Sequence, residues 1–121
     1  MIPLARAVCA ALVALGLAAP LAAAARTPTL GEREAIVHAL PRYVRNAPLE
    51  CVWLKVRVSN GGRYAVARPA YLNTGTVRCA RYAADGYFVL RKADRWRVIY
   101  VGSDYPPCSK RIPRGLVPCL P

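Results

Sequence analysis

Apolar side chains recur at helical spacing between Thr29 and Asn46. Residues three and four positions apart lie on one face of a helix, so this segment is predicted to form an amphipathic helix. Thr29 and Glu32 have the spacing of a capping box, which favours a helix start at this point. Pro41 lacks a backbone N–H, and the helix is therefore expected to kink or divide there. The apolar positions are Ile36, Val37, Leu40, Tyr43 and Val44.

A second pattern, strict alternation of apolar and polar residues, runs from Cys51 to Val58. A period of two predicts a strand with one buried face. The sequence Ser59-Asn60-Gly61-Gly62 is typical of a tight turn, and Pro69 to Thr76 is predicted as a loop. Further strands are predicted at Arg63–Ala67, Val77–Tyr82, Tyr87–Arg91 and Trp96–Val101.

The order of these elements predicts an α+β fold, with the N-terminal helix packed on an antiparallel sheet of about five strands. After Gly102 the chain is rich in proline, which prevents long regular structure and predicts an irregular tail. The prolines of this tail are Pro106, Pro107, Pro113, Pro118 and Pro121.

Alternation along the predicted strands also assigns side chains to the two faces of the sheet. The face expected to lie under the helix carries Val52, Leu54, Val56, Val58, Tyr64, Val66, Tyr82, Phe88, Leu90, Trp96, Val98 and Tyr100. The opposite face carries the basic and aromatic residues Trp53, Lys55, Arg57, Arg63, Arg81, Arg91 and Arg97. Three apolar residues of this second face, Val89, Ile99 and Val101, need cover, which Ile112, Leu116 and Val117 of the tail are expected to supply.

Composition adds a strong positive charge to this picture. The 121 residues include 18 Lys and Arg against 6 Asp and Glu, for a formal net charge of +12. The length limits the chain to a single domain, and an apolar content of 55% argues against disorder. A cationic surface attracts anionic partners, so the basic face is the candidate binding surface. The alternative is a solvated face that binds nothing.

The cysteines predict a disulfide-bonded domain. Of 5 cysteines, Cys9 lies in the first 25 residues and the others are Cys51, Cys79, Cys108 and Cys119. An even number in a small exported domain predicts two disulfides. We favour Cys51–Cys79, because both fall on the basic face of predicted strands, and Cys108–Cys119, which closes the Pro-rich tail. A metal site is not favoured, because no pair has C-x-x-C spacing and the single histidine is His38.

The first 25 residues have the features of a secretory signal peptide. Arg6 is followed by an uncharged stretch with an apolar centre, then Pro20 and a run of alanines that ends at Ala25. Residues 26–121 are thus predicted as a single secreted or periplasmic α+β domain, without a transmembrane anchor once the signal is cleaved. An uncleaved membrane anchor is the alternative, although alanine is only weakly apolar.

No catalytic constellation emerges from the sequence. His38 has no neighbouring nucleophile or orienting carboxylate that the pattern identifies, and neither G-x-S-x-G nor H-E-x-x-H occurs. Of the acidic residues, only Glu50 and Asp104 lack an evident structural role. We therefore predict no catalytic residue, no metal and no cofactor.

Two segments of the second half carry a resemblance. The segments are Gly86–Lys92 with Trp96–Ile99, followed by Gly102-Ser103-Asp104, Pro107-Cys108 and Ile112-Pro113. They are similar to segments of small exported bacterial proteins that have no assigned activity. The architecture also resembles cystatin-like and nuclear-transport-factor-like domains, in which a helix lies on a sheet. This resemblance implies an α+β fold with two disulfides, and it implies no activity and no functional residue.

Two function classes follow. The first is an exported, non-enzymatic binding or accessory domain whose basic face meets an anionic envelope polymer, a lipid headgroup or an acidic protein; nucleic acid is not favoured for an exported chain. The second is a secreted inhibitor or regulator of an extracellular enzyme, acting through the loop that holds Lys110 and Arg111 between Cys108 and Cys119. A small enzyme with a pocket beside His38 is the least favoured hypothesis. The oligomeric state does not follow from the sequence.

Overall fold

The computed structural model describes residues 25–72, 75–82 and 86–121. Within these residues five strands form one antiparallel sheet in the order β1-β2-β3-β4-β5. The strands are β1 (Ala25–Arg26), β2 (Val52–Ser59), β3 (Tyr64–Tyr71), β4 (Tyr87–Lys92) and β5 (Trp96–Gly102). The helices are α1 (Leu30–Ala39), α2 (Arg42–Arg45) and α3 (Val77–Ala80), and a 3₁₀ turn spans Cys108–Lys110. The α+β class with an antiparallel five-stranded sheet is confirmed, whereas the predicted signal lies almost wholly outside the described residues.

Helix α1 begins with the capping box that the sequence predicts. The Thr29 hydroxyl accepts a hydrogen bond from the Glu32 N–H at 3.1 Å, and the Glu32 carboxylate accepts one from the Thr29 N–H at 3.0 Å. The segment predicted as one helix is divided in the structure. Leu40 is extended, with φ −76° and ψ 156°, because the ring of Pro41 disfavours helical backbone in the preceding residue. Pro41 then starts α2.

Glu32 also anchors β1, because Arg26 binds both oxygens of its carboxylate, at 2.7 and 2.8 Å. This ion pair, with the Thr29 N–H, lowers the pKa of Glu32 to about 2. A folded-state pKa below the ordinary value stabilises the fold above the unfolded pKa, and the contribution is lost as the pH falls from about 4.5 towards 2.

We therefore expect Glu32→Gln to lower the melting temperature at pH 7, since glutamine keeps the capping box but loses the charge. The difference from the native protein should shrink below pH 4.5 and vanish near pH 2 in thermal melts followed by circular dichroism. Glu34→Gln, on the same helix, is the control and should melt like the native protein at pH 7. A difference that stays constant between pH 7 and pH 2 would contradict the assignment.

The predicted strand Val77–Tyr82 is wrong, because this segment forms α3 and a following turn. The Thr76 hydroxyl accepts a hydrogen bond from the Cys79 N–H at 3.2 Å and caps the helix. The fifth strand of the sheet is instead β1, which pairs Ala25 with Ser59 and Arg26 with Val58. Arg81 therefore follows a helix and does not belong to a strand.

Strand β3 is longer than predicted and extends through Pro69 to Tyr71. β4 pairs only with the Tyr64–Ala67 half of β3, so beyond Ala67 one side of β3 has no partner strand in the described ranges. A proline is tolerated at such an edge because no ladder hydrogen bond is lost. The prediction of a loop from Pro69 onward is therefore wrong for its first three residues.

The two faces of the sheet carry separate apolar clusters. The helix face, which packs against α1 and α2, has a core of Ile36, Leu40, Val44, Cys51, Val52, Leu54, Val56, Val58, Ala65, Ala67, Cys79, Phe88, Leu90 and Trp96. The tail face packs against the C-terminal segment through Val66, Tyr87, Val89, Ile112, Leu116 and Val117.

The register corrects several of the predicted face assignments. Val58 pairs with Ala65, which places Tyr64 and Val66 on the tail face and not under the helices. A one-residue change of register moves every side chain of a strand to the other face. The pairing of β4 with β5 shifts between Val89, which pairs with Tyr100, and Leu90, which pairs with Val98. This bulge places Tyr100 in the tail-face cluster. Val101 pairs with Phe88 and so belongs to the helix face.

Both disulfides have the favoured pairing. Cys51 is bonded to Cys79 across 28 residues, and Cys108 to Cys119 across 11. The argument for the first pair was wrong, however. Cys79 lies in a helix, and both cysteines are buried in the helix-face core and not on the basic face. The two bonds are consistent with an oxidising compartment. None of the described helices has the length and apolarity to cross a membrane.

Candidate functional site

The predicted basic residues fall into separate groups in the structure. Trp53, Lys55 and Arg57 project from β2 and are exposed. Arg91 and Arg97 lie directly opposite each other at the far end of β4 and β5. The buried tail-face cluster lies between these two groups, since Arg57 pairs with Val66 and Val66 with Val89. The predicted continuous basic face is therefore interrupted by the C-terminal tail.

Two of the predicted residues lie off the tail face. Arg63 precedes β3 and is not part of a strand, although its carbonyl accepts a hydrogen bond from the Lys92 N–H at 2.8 Å. Arg81 caps the C-terminal end of α3. Both side chains are exposed, but neither is positioned by the sheet beside the other cations.

Trp53 faces α1 and lines a different cleft from Lys55 and Arg57. The Arg33 guanidinium lies over its ring, 5.1 Å from the centroid, in a cation–π contact. Beyond the two residues paired with β1, the described residues give β2 no further partner on this edge, so a large side chain there is free to reach the helix. Trp53 and Arg33 line a cleft of about 360 Å³ with α1, so the structure does not bring Trp53 together with Lys55 and Arg57.

The most concentrated site is a groove on the tail face, here called the tail groove, with a volume of about 230 Å³. One side consists of three cations, including Arg68, which the sequence analysis missed. Lys55 and Arg68 are directly opposite each other across β2 and β3. The other side is aromatic and apolar. The complete lining is Lys55, Arg57, Val66, Arg68, Tyr87, Tyr105, Leu116, Val117 and Pro118.

None of the cations of the tail groove forms an ion pair with a carboxylate of the described residues. The ion pairs among the described residues are Arg26–Glu32, Arg78–Glu50 and Arg97–Asp94, and all three lie outside the groove. Arg57 instead donates a hydrogen bond to the Ala25 carbonyl at 3.0 Å, which ties its guanidinium to β1. Like charges directly opposite each other on a sheet destabilise it, so the Lys55–Arg68 pair is a cost that a bound anion would offset.

The aromatic side of the tail groove is held in place by β5. The Tyr100 hydroxyl donates a hydrogen bond to the Asp104 carbonyl at 2.6 Å and so fixes the loop that leads to Tyr105. The Tyr105 and Tyr87 rings are 6.3 Å apart, centre to centre. Burial raises the pKa of the Tyr87 hydroxyl above its ordinary value, and the neighbouring Tyr100 and Tyr105 act in the same direction. The hydroxyl is therefore a neutral donor at physiological pH.

Arg91 and Arg97 form a weaker candidate site. Arg97 lies 3.6 Å from Asp94, which partly neutralises it. Arg97 also lines an open cleft of about 930 Å³ between α1 and the β4–β5 hairpin, together with Glu32, Glu34 and Asp94. Three acidic and three basic side chains line this cleft, so its field does not favour ligands of one sign.

His38 borders the clefts on both sides of α1 and is exposed. Its carbonyl accepts a hydrogen bond from Arg45 at 2.8 Å, and no hydrogen bond to its ring is found within the described part of the chain. The geometry thus supplies a cavity but no oriented base. Among these residues no group of three or more His, Cys, Asp or Glu side chains is arranged to hold a metal ion.

The loop closed by Cys108–Cys119 has a folded backbone. Lys110 belongs to a 3₁₀ turn, and Arg111 follows it in the left-handed region with φ 55°. An inhibitor that occupies a protease cleft as a substrate does presents an extended segment, as in other modes of peptide recognition. This backbone does not favour the inhibitor hypothesis, which stays a prediction.

Comparisons with known proteins do not add a function to this geometry. The resemblance to small exported bacterial proteins therefore stays a prediction, and the candidate site rests on the arrangement of its own residues. No protein-family model, curated protein or solved structure matches the chain.

Proposed function

We propose that residues 26–121 form an exported, non-enzymatic binding module that recognises an anionic partner through the tail groove. In this proposal the N-terminal helix packs over one face of the sheet, and the disulfide-closed Pro-rich tail covers part of the other. The tail leaves Lys55, Arg57 and Arg68 exposed along its border. Envelope polymers, lipid headgroups and acidic proteins all carry the required charge.

One observation carries this proposal, namely three exposed cations on adjacent strands, none of which forms an ion pair with a carboxylate of the described residues. Surface cations that serve solubility alone gain from being interspersed with acids, because like charges repel each other. Here the sheet fixes Lys55 and Arg68 at the closest cross-strand spacing, about 5 Å between Cβ atoms. Such an arrangement concentrates positive potential at one place on the surface.

The proposal predicts that charge reversal at these three positions strongly weakens binding to an anionic matrix. We expect the Lys55→Glu, Arg57→Glu, Arg68→Glu triple variant to elute from heparin at much lower salt than the native protein. At about 1 kcal/mol per cation near an anionic surface, the affinity should fall at least roughly a hundredfold at 0.15 M salt.

The matched control is the Arg42→Glu, Arg63→Glu, Arg81→Glu triple variant, which makes the same change in net charge at exposed positions outside the tail groove. Its affinity for heparin should fall by less than tenfold. Equal losses in the two variants would show that only net charge matters, and heparin retention that does not depend on salt would contradict the proposal outright.

Thermal stability provides a second readout for the same site. Arg68→Glu replaces a repulsive pair by an attractive one opposite Lys55, so this single variant should melt at the same temperature as the native protein or higher. Loss of heparin binding together with unchanged or raised stability separates a binding role of Arg68 from a structural one.

A further inference from the structure

The tail groove contains a buried polar atom that its own fold does not satisfy. Tyr87 is 8% exposed, and its hydroxyl oxygen has no hydrogen-bond partner among the described residues. A buried hydroxyl without a partner destabilises the folded state, and most such groups in folded proteins are paired. Each such exception calls for an explanation, and a ligand that accepts the hydrogen bond is one.

The position of this hydroxyl relates it to the cations. Tyr87 lines the tail groove with Lys55, Arg57 and Arg68, and the charges of both Arg68 and Asp104 act on the ionisation of Tyr87. Three cationic side chains and the side chain of Tyr87 thus line one small volume. The lining of the groove includes no acidic side chain. A set made up of donors with positive charge matches an oxyanion.

The remaining lining sets the size and character of the rest of the ligand. Tyr105, Leu116 and Val117 present aromatic and apolar surface next to the cations. The groove volume of about 230 Å³ is below that of a typical drug-sized site, which is about 300–1,000 Å³. It therefore suits one ring-sized unit and its charged group.

On these grounds, and resting on the proposed function, we propose that the tail groove binds a phosphate ester carried on a ring-sized organic body. The phosphate oxygens accept hydrogen bonds from Arg57, Arg68 and the Tyr87 hydroxyl, and Lys55 adds charge. The ring contacts Tyr105 and Leu116. Binding releases the repulsion between Lys55 and Arg68 and supplies the partner that the Tyr87 hydroxyl lacks within the described fold.

The decisive variant is Tyr87→Phe, tested with phenyl phosphate as the probe by isothermal titration calorimetry. The variant should bind phenyl phosphate about tenfold or more weakly, because one hydrogen bond to a charged acceptor is lost. In the absence of the probe it should melt at the same temperature as the native protein or higher, because removing an unpaired buried hydroxyl removes a cost. A purely structural tyrosine would show the opposite pattern of stability.

Tyr64→Phe is the matched control, since Tyr64 packs against the same tail-face cluster but does not line the groove. It should leave the affinity for phenyl phosphate unchanged. Inorganic phosphate, which lacks the ring, should bind the native protein more weakly than phenyl phosphate. Displacement of phenyl phosphate by glucose 6-phosphate would assign a soluble ester as the source, and displacement by vesicles that contain phosphatidylinositol 4-phosphate would assign a lipid headgroup.

Three results would overturn this inference. These are no binding of phenyl phosphate to the native protein, equal affinity of Tyr87→Phe and native protein, or a lower melting temperature of the free Tyr87→Phe variant. None of them affects the proposed function, which fails separately if charge reversal at Lys55, Arg57 and Arg68 leaves salt-dependent heparin retention unchanged.

Discussion

Replacing Gly86 by alanine is expected to lower the free energy of unfolding by roughly 2–5 kcal/mol. Gly86 has φ +114°, a backbone conformation that residues with a side chain rarely adopt. A Cβ atom at this position would also lie 2.6 Å from the carbonyl carbon of Gly102 and closer still to its oxygen. Because these atoms are backbone, no side-chain rotation relieves the clash, and the start of β4 must move away from the end of β5.

Gly61→Ala is the matched control for this prediction. Gly61 lies in the turn between β2 and β3, and a Cβ atom there meets no other atom within 4 Å. It should melt within a few degrees of the native protein, whereas Gly86→Ala should melt well below it in urea and thermal denaturation. Comparable stabilities of the two variants would mean that the contact between Gly86 and Gly102 does not constrain the hairpin.

Gly86→Ala also connects the fold to the tail groove. Tyr87 follows Gly86 directly and pairs with Gly102, so a displaced strand start would carry the Tyr87 ring with it. The loop that positions Tyr105 begins immediately after β5 and depends on the same end of the sheet. The glycine thus holds together the two aromatic residues of the groove without lining it.

The elements with the clearest periodicity were predictable from the sequence. Alternation from Val52 to Val58 identified β2 and its buried side, because a half-buried strand needs that pattern to fold. The presence of two disulfides followed from the number of cysteines and from the prediction of export. The division of the first helix at Pro41 followed from the chemistry of proline.

The register of the sheet was not predictable in the same way. The pairing of Val58 with Ala65 depends on how many residues the turn after Ser59 uses, and a difference of one residue exchanges the two faces of β3. Thr76 caps α3 in the structure, but a helix of four residues is too short to show a period in the sequence.

The candidate site was predicted in part. The alternation of β2 predicted the exposure of Lys55 and Arg57. Arg68 was not predicted as a site residue, because Pro69 suggested that a loop begins there. Arg68 becomes a site residue only through its pairing with Lys55, which is a long-range property of the sheet. The burial of the Tyr87 hydroxyl depends on the path of the tail, which carries no periodic pattern.

Each disulfide stabilises the structure on a different face of the sheet. Cys51–Cys79 ties α3 to the start of β2 within the helix-face core. Cys108–Cys119 closes the tail, whose residues Leu116, Val117 and Pro118 line the groove. Loss of the first bond should therefore affect mainly stability, and loss of the second should also affect binding.

Removing the first disulfide by the Cys51→Ala, Cys79→Ala double variant is expected to cost roughly 3–4 kcal/mol, because it frees a loop of 28 residues in the unfolded chain. This is a large share of a typical total of about 5–15 kcal/mol, and the melting temperature should fall by roughly 15–25 °C.

The Cys108→Ala, Cys119→Ala double variant is the comparison. It frees only 11 residues, so it should melt at a higher temperature than the first variant and yet bind phenyl phosphate more weakly, since the tail residues of the groove are no longer held. The opposite order, with the tail variant less stable and the first variant deficient in binding, would contradict this division, because the groove would then depend on the helix-face core.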